Sequence, residues 1–464
     1  MRFVPFWFDQ AISTADISSA VELKSNITAD ICIIGGGFTG LWSAIQLKLQ
    51  EPDKHVVVID KGLCGQGASG RNGGAMLTWS TKFLSLANLY GTQNAIKLVK
   101  QSEQAVYDIQ TFCNTHKISC ELRVDGAYYT ASNKAQINAL SPVISQLDKH
   151  NINQWHAIHK NAIHEKTGSK ENLQANYSQA AGSIQPAKLV RGLKSVAQKL
   201  DVKVYENTEM TSLVAGEPAT INVPNGRVLA NKVIVAVNAW LPKLFEQFSN
   251  KVVLVSSDMI ITKPMPQILN KLGLNHGAPV IDSRIFVNYY RTTEDGRLML
   301  GKGGNYFSYN NIVRNKFDQH SAYKTILNQS LAHFFKDHNF EIERTWTGPS
   351  DRSVTGFPFF GHMPNSQNIF YGAGYSGNGI VQSYLGGKIL ASLALGKTDQ
   401  WSHHPMVDNQ LASFPPEPFR TPGAFIVRNG IRRKESAEDK GHSVSRFDNW
   451  LAKFSGSAAK VDLS

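Results

Sequence analysis

Between residues 30 and 60 apolar runs and glycines follow one another in an order that predicts a complete supersecondary unit. Asp30-Ile31-Cys32-Ile33-Ile34 reads as a buried strand, and Gly35-Gly36-Gly37-Phe38-Thr39-Gly40 as a tight turn. Leu41-Trp42-Ser43-Ala44-Ile45-Gln46-Leu47 then has helical spacing. A β-branched run over 55–59 predicts a second strand ending at Asp60. Further on, Leu189, Val190, Leu193, Val196, Ala197 and Leu200 share one face of a helix predicted over 186–200. Strands follow at 202–205 and 232–237, with Asn225-Gly226 between Val223 and Val228 marking a hairpin. A short strand at 369–371 enters another glycine turn, and apolar residues from 380 to 395 predict a second long helix. In the tail, Pro415, Pro416 and Pro418 break regular structure. Thr421 as N-cap with Pro422 at the first helical position starts a helix that continues over 423–440.

The first turn carries chemistry. Gly35, Gly37 and Gly40 fit the spacing GxGxxG of a dinucleotide-binding βαβ unit. Gly35 permits the turn, Gly37 lets backbone N–H groups approach a pyrophosphate, and Gly40 lets helix and strand pack closely. The helix N-terminus adds unpaired donors and a partial positive charge. Asp60, twenty residues after Gly40, is placed to accept hydrogen bonds from ribose hydroxyls. Residues 65–74 then hold five glycines in ten positions, and a third glycine cluster spans 372–379. A Rossmann unit, a second glycine loop just after the acid, and a late glycine turn opening a helix suit FAD better than NAD, because a large flavin ring is then held between remote segments.

Composition narrows the class. The 464 residues suggest two domains, and 42% hydrophobic with 18% charged residues is a globular enzyme's balance. No stretch approaches twenty apolar residues and no signal-peptide core is present, so a cytoplasmic protein without a transmembrane segment is expected. Cys32, Cys64, Cys113 and Cys120 show no metal-ligand spacing and read as free thiols; no metal is expected. The net charge of +12 is scattered apart from Arg428, Arg432, Arg433 and Lys434, which favours general solvation over nucleic-acid binding.

Together with the first turn, residues 65–74, Ala181-Gly182-Ser183-Ile184-Gln185-Pro186, Val233-Ile234-Val235-Ala236-Val237-Asn238-Ala239-Trp240, Tyr290-Arg291-Thr292-Thr293-Glu294-Asp295-Gly296-Arg297 and Gly374-Tyr375-Ser376-Gly377-Asn378-Gly379 stand in a telling order. In these motifs the chain resembles the FAD-dependent D-amino-acid oxidase superfamily, in its glycine and sarcosine oxidase branch, over roughly residues 26–400. The resemblance implies an α/β Rossmann-type, glutathione-reductase-like FAD-binding domain built from 1–80, 183–255 and 341–411. It also implies an α+β substrate domain with an antiparallel sheet from 81–182 and 256–340. Outside the resemblance, 412–464 reads as a Pro-rich segment and a basic helix packed across the surface, with a docking site for lipid or a partner as the alternative. The implied cofactor is non-covalent FAD. Its implied contacts are Gly35, Gly37, Phe38, Thr39, Gly40, Asp60, Lys61, Ala68, Ser69, Arg71, Asn72, Gly73, Gly74, Asn238, Ala239, Gly374, Gly377, Asn378 and Gly379. Relatives often have His at the position of Asn378. The implied reaction is hydride transfer from the carbon next to an amine nitrogen to flavin N5, with oxygen or another acceptor taking the electrons. Met299 stands near where oxygen-activating relatives carry lysine, which leans towards a dehydrogenase.

One departure bears on substrate. Family amino-acid oxidases typically read W-x-G-x-R-P and then D-G-x-P-x-x-G, the arginine gripping the substrate carboxylate. Here Trp346-Thr347-Gly348-Pro349-Ser350 puts Ser350 at that arginine's place, and Thr355 stands where the aspartate belongs. An anion on the substrate would then be held elsewhere, by Arg352 or Arg291. Arg352 beside Asp351 reads equally well as a structural ion pair. Tyr289, Tyr290 and Tyr375 are candidates to line the pocket. The stretch around Ser350 and the tail are similar to a subgroup described as aminophosphonate oxidoreductases, close to the gamma-glutamylputrescine oxidoreductase type. This implies oxidation of an aminoalkylphosphonate, or an N-methylated form, to an imine that hydrolyses to aldehyde and amine. The alternatives are a glycine, sarcosine or D-amino-acid oxidase, a polyamine oxidoreductase, a tRNA-modifying flavoenzyme and a flavin-propped interaction protein.

Overall fold

The computed structural model describes residues 4–13, 17–456 and 458–462. Two large sheets organise the chain. The first runs in the order Lys203–Tyr205, Val56–Ile59, Asn26–Ile34, Gly226–Val235, Ile369–Ala373, Phe359–His362, with only the last strand antiparallel. The predicted hairpin forms, with Val223 opposite Gly226. Strand parity explains how this sheet is buried on both faces. Ile31, Ile33, Val56 and Val58 pack under the helices Phe38–Gln50, Pro186–Lys199 and Gly379–Ala394, while Cys32, Ile34, Val57 and Ile59 meet the opposite layer. The close approach assigned to Gly40 is literal: a Cβ there would lie 1.9 Å from the Gly35 carbonyl oxygen.

The second sheet runs Ile342–Ser353, Val252–Thr262, Leu298–Lys302, Asn288–Thr292, Val280–Asp282, Ala127–Ala131, Gln174–Ser178, Trp155–Ala157. It is antiparallel apart from the parallel pair Val280–Asp282 with Ala127–Ala131. This corrects the expected boundaries at 255 and 341. Val252–Thr262 and Ile342–Ser353 pair with each other from Val252↔Ser353 to Thr262↔Ile342, so both long strands belong wholly to the second sheet. Their shared end, carrying Ser350 and Arg352, reaches the cleft between the sheets.

Beyond residue 411, Glu417 caps the helix Arg420–Asp439, which starts one residue before the expected N-cap. Its carboxylate accepts the Thr421 backbone N–H (3.1 Å) and hydroxyl (2.6 Å). The basic cluster on this helix is taken up by nearby partners. Arg428 and Arg432 donate to backbone carbonyls of Asn305 and Gly304, and Arg433 pairs with Asp448. Ile431 packs on Ile285 and Phe286. Among the described residues, no helix is long and apolar enough to cross a membrane.

Candidate active site

A cavity of about 560 Å³ lies where the C-terminal ends of the parallel strands meet the second sheet. At one end stands Asp60, closing the strand Val56–Ile59. Its Oδ2 accepts the Gly36 N–H (2.7 Å) and its Oδ1 the Gly62 N–H (2.9 Å). Burial nevertheless pushes its carboxyl up to about 6, against the pull of those two N–H groups. Beside it, the Lys61 ammonium sits 4.2 Å from the centre of the Trp240 ring. The loop 65–74 is tied to the first helix where Phe38 N–H donates to Ser69 Oγ (2.9 Å). Asn72 holds the loop's shape, donating to Ser69 O and accepting the Gly74 N–H, both at 2.9 Å.

Most residues singled out from sequence converge here. Gly35, Gly37, Phe38, Thr39, Asp60, Lys61, Ala68, Ser69, Arg71, Asn72, Gly73, Gly74, Asn238, Ser350, Arg352, Tyr375, Gly377, Asn378 and Gly379 all line the cavity. Four others stand behind its wall and are corrected accordingly. Gly40 packs against Gly35, Ala239 is buried beside Leu254 and Phe317, and Gly374 packs against the Phe359 ring. Arg291, expected as an anion grip, is spent on backbone carbonyls: Gly73 (2.7 Å), Ile184 (2.9 Å) and Thr292 (3.1 Å). It also stacks over Trp7. Its bond to Gly73 O buttresses the glycine loop from outside the cavity, and burial and the nearby Arg123 push its guanidinium down to about 9.

The tyrosines divide by strand parity. Tyr289 lines the cavity, with its ring between Gly73 and Gly301, where Cβ atoms would come within 2.3 and 2.2 Å of it. Tyr290 faces the other way, its hydroxyl donating to Thr167 O (2.6 Å). Tyr375 accepts the Thr39 hydroxyl proton (2.7 Å), joining the late glycine turn to the first. Arg71 bridges its own loop to the second segment, donating to Gln66 O (2.7 Å) and Phe317 O (2.6 Å) and pairing with Asp318 (2.6 Å). Thr355 lies outside the cavity and Met299 is buried against other core residues.

Three observations fit FAD. The helices Phe38–Gln50 and Gly379–Ala394 both open on the cavity with no side-chain cap at Gly37 or Asn378, leaving two N-termini for phosphate and flavin oxygens. Asn238, in a left-handed conformation with φ 47°, presents a buried Oδ1 with no hydrogen-bond partner among the described residues. The lining changes from Asp60 at one end to the polar strand end of Ser350 and Arg352 at the other.

The family model for FAD-dependent oxidoreductases of the DAO type matches residues 30–393. The chain belongs to that family. It is a FAD-dependent oxidoreductase, and glycines from all three clusters line the cavity. It is 28% identical over 408 residues to the gamma-glutamylputrescine oxidoreductase of Escherichia coli strain K12, covering 88% of this chain and 91% of that one. It is 21% identical to the glycine oxidase of Bacillus subtilis strain 168, covering 82% and 97%. In three dimensions it is similar to the crystal structure of glycine oxidase from Geobacillus kaustophilus, with a TM-score of 0.69 and 20% identity, over 84% of this chain and all of that one.

The end of the cavity lined by Ser350 and Arg352 departs from the ion pair weighed for Arg352. Asp351, buried, turns its carboxylate to the Gly374 N–H, and burial pushes it up to about 6. Arg352 instead reaches the same turn with its guanidinium, donating to Ser376 O (2.6 Å). It forms no ion pair among the described residues, although the neighbouring Asp351 carboxylate still attracts it. Ser350, buried and neutral, offers only a hydroxyl. A lysine from the far end of the chain, Lys460, also lines the cavity. Nothing in the sequence marks it.

Proposed function

We propose that this flavoenzyme oxidises the C–N bond of an anionic amine, with an aminoalkylphosphonate or its N-methylated form as the substrate class. The carrying observation is the displacement of charge along one strand. The position of the usual carboxylate grip is neutral Ser350, while Arg352, two residues on, lines the cavity without a carboxylate partner. FAD, held by the glycine turns at Gly35–Gly40, 65–74 and Gly377–Gly379, would supply the two-electron acceptor for the hydride. The chain's own groups do the rest. Arg352 fixes the anion, so the far end of a short substrate is held in one orientation. Tyr289, Leu77 and Val287 supply the apolar wall that excludes water. The uncapped N-terminus of Gly379–Ala394 would favour negative charge on a reduced cofactor held beside it. The resulting imine hydrolyses in water to aldehyde and amine, and oxygen or another acceptor removes the electrons.

In this reading the first sheet and its helices form the FAD-binding unit, the second sheet the substrate unit, and the enzyme works in the cytoplasm with its four buried cysteines reduced. A gamma-glutamylated polyamine is the second reading, favoured by the Escherichia coli relative. Anaerobic titration of the FAD-loaded protein, following the oxidised-flavin band, separates them. Aminoalkylphosphonates should bleach it, with glycine and D-alanine acting poorly. Fast bleaching by D-alanine refutes the argument from Ser350, and bleaching by gamma-glutamylputrescine alone selects the second reading.

A further inference from the structure

The family match ends at residue 393, yet Lys460 lines the same cavity as the flavin-binding turns. Its segment is stitched to the chain just after the second glycine loop. The Lys460 carbonyl accepts the Thr81 hydroxyl (2.7 Å), and Asp462 N–H donates to Thr81 O (3.0 Å). The Asp462 carboxylate accepts the Ser85 N–H (2.9 Å) and pairs with Lys82 (3.5 Å), while Ala459 and Val461 are buried. Held in this way, the Lys460 ammonium donates to Gly377 O (2.8 Å) and Ser376 O (3.2 Å). Arg352 donates to the same Ser376 oxygen at 2.6 Å, so the two cations are near neighbours.

Among the described residues neither cation forms an ion pair with a carboxylate, and the one acid that attracts Arg352 is its neighbour Asp351. Asp462 is engaged by Lys82 and Ser85, Asp351 by the Gly374 N–H, and the charges that face Lys460 are Arg352 and Lys82, both positive. Burial and this like-charge setting hold the Lys460 ammonium well below its ordinary pKa, a cost that an anion in the cavity would offset. Two adjoining cations suit a doubly charged, tetrahedral oxyanion better than a single carboxylate.

We infer that Lys460, brought back by the C-terminal segment, joins Arg352 in a paired-cation subsite for a phosphonate or phosphate group on the substrate. The inference deepens the function proposed above and rests on it for the reacting amine. Calorimetric titration of the FAD-loaded, full-length protein with methylphosphonate, and with acetate for comparison, tests it without turnover. Lys460→Met should weaken methylphosphonate binding about ten- to a hundredfold and acetate binding less, with Lys460→Arg restoring most of the loss. Equal weakening of both anions would mean that Lys460 only shapes the 376–377 turn, which overturns the inference. Unchanged methylphosphonate affinity with a lowered flavin reduction potential also overturns it, moving the charge to the cofactor. So does failure of the wild-type protein to bind methylphosphonate. Loss of binding in Lys460→Met while no aminophosphonate bleaches the flavin keeps the subsite and discards the reaction. Bleaching with unaltered binding does the reverse.

Discussion

Replacing Arg352 by Met removes a charge and keeps most of the stem, and its expected effect can be worked from the contacts. Among the described residues the guanidinium donates to Ser376 O and forms no ion pair, the neighbouring Asp351 being turned to the Gly374 N–H, and it lines the cavity. A hydrogen bond between charged partners contributes about 1.5–3 kcal/mol, or roughly ten- to a hundredfold in binding. A Coulomb bound agrees: unit charges 4 Å apart at an effective dielectric of 20 interact by about 4 kcal/mol, before desolvation. Because Lys460 also faces the anion, the lower half of that range is expected. The grip is distant from the reacting carbon and acts on bound substrate and transition state alike. KM for an aminoalkylphosphonate should therefore rise roughly tenfold or more, with kcat nearly unchanged. KM for an uncharged amine should hardly move. Steady-state kinetics on both substrates decides it, with the flavin spectrum confirming an intact cofactor site. An unchanged KM for the phosphonate, or an equal rise for both substrates, would remove Arg352 from substrate binding.

The other expectations concern the cofactor cleft. Glu206 is fully buried and accepts hydrogen bonds from Arg191 (2.6 Å), Lys194 (2.6 Å) and the Cys64 N–H (2.7 Å), pinning the end of the cleft to the helix Pro186–Lys199. Glu206→Gln strips two buried cations of their carboxylate and should cost about 3 kcal/mol or more, read as a fall in Tm of the FAD-loaded protein. Burial raises this carboxyl, but Lys194, Arg191 and the Cys64 N–H outweigh it and leave it below its ordinary value of 4.5. A group depressed on folding stabilises above its unfolded pKa and loses that contribution as pH falls through the folded one. The Tm gap between wild type and Glu206→Gln should accordingly be full at neutral pH and close below about pH 4.5; a gap that widens on acidification would refute this. Gly40→Ala would place a methyl 1.9 Å from the Gly35 oxygen, a backbone atom with no room to yield. Overpacking of this kind costs about 1–3 kcal/mol, and the displaced helix should release FAD on purification. Full flavin content at wild-type Tm would show that the close packing is dispensable.

What the sequence determined by itself was the local machinery. Strand, glycine turn, helix, strand and acid follow from spacing over thirty residues, because each glycine answers a steric demand set by its immediate neighbours. The same holds for the helices Pro186–Lys199 and Gly379–Ala394, whose apolar periodicity needs no distant partner to be read. Only the tertiary structure decided which polar groups face the cavity. Tyr289 and Tyr290 differ by one position on a strand, and Arg291 and Arg352 were both candidate anion grips, yet one arginine is consumed by the carbonyls of Gly73 and Ile184 while the other lines the cavity. The assignment of the strands Val252–Thr262 and Ile342–Ser353 to the second sheet likewise depends on pairing between remote segments. Lys460 is the extreme case: one lysine in an unremarkable tail acquires meaning when Thr81 and Asp462 dock that tail beside Arg352. Sequence spacing encodes backbone conformation over a few turns, whereas the partner of a long charged side chain is set by packing across the whole chain.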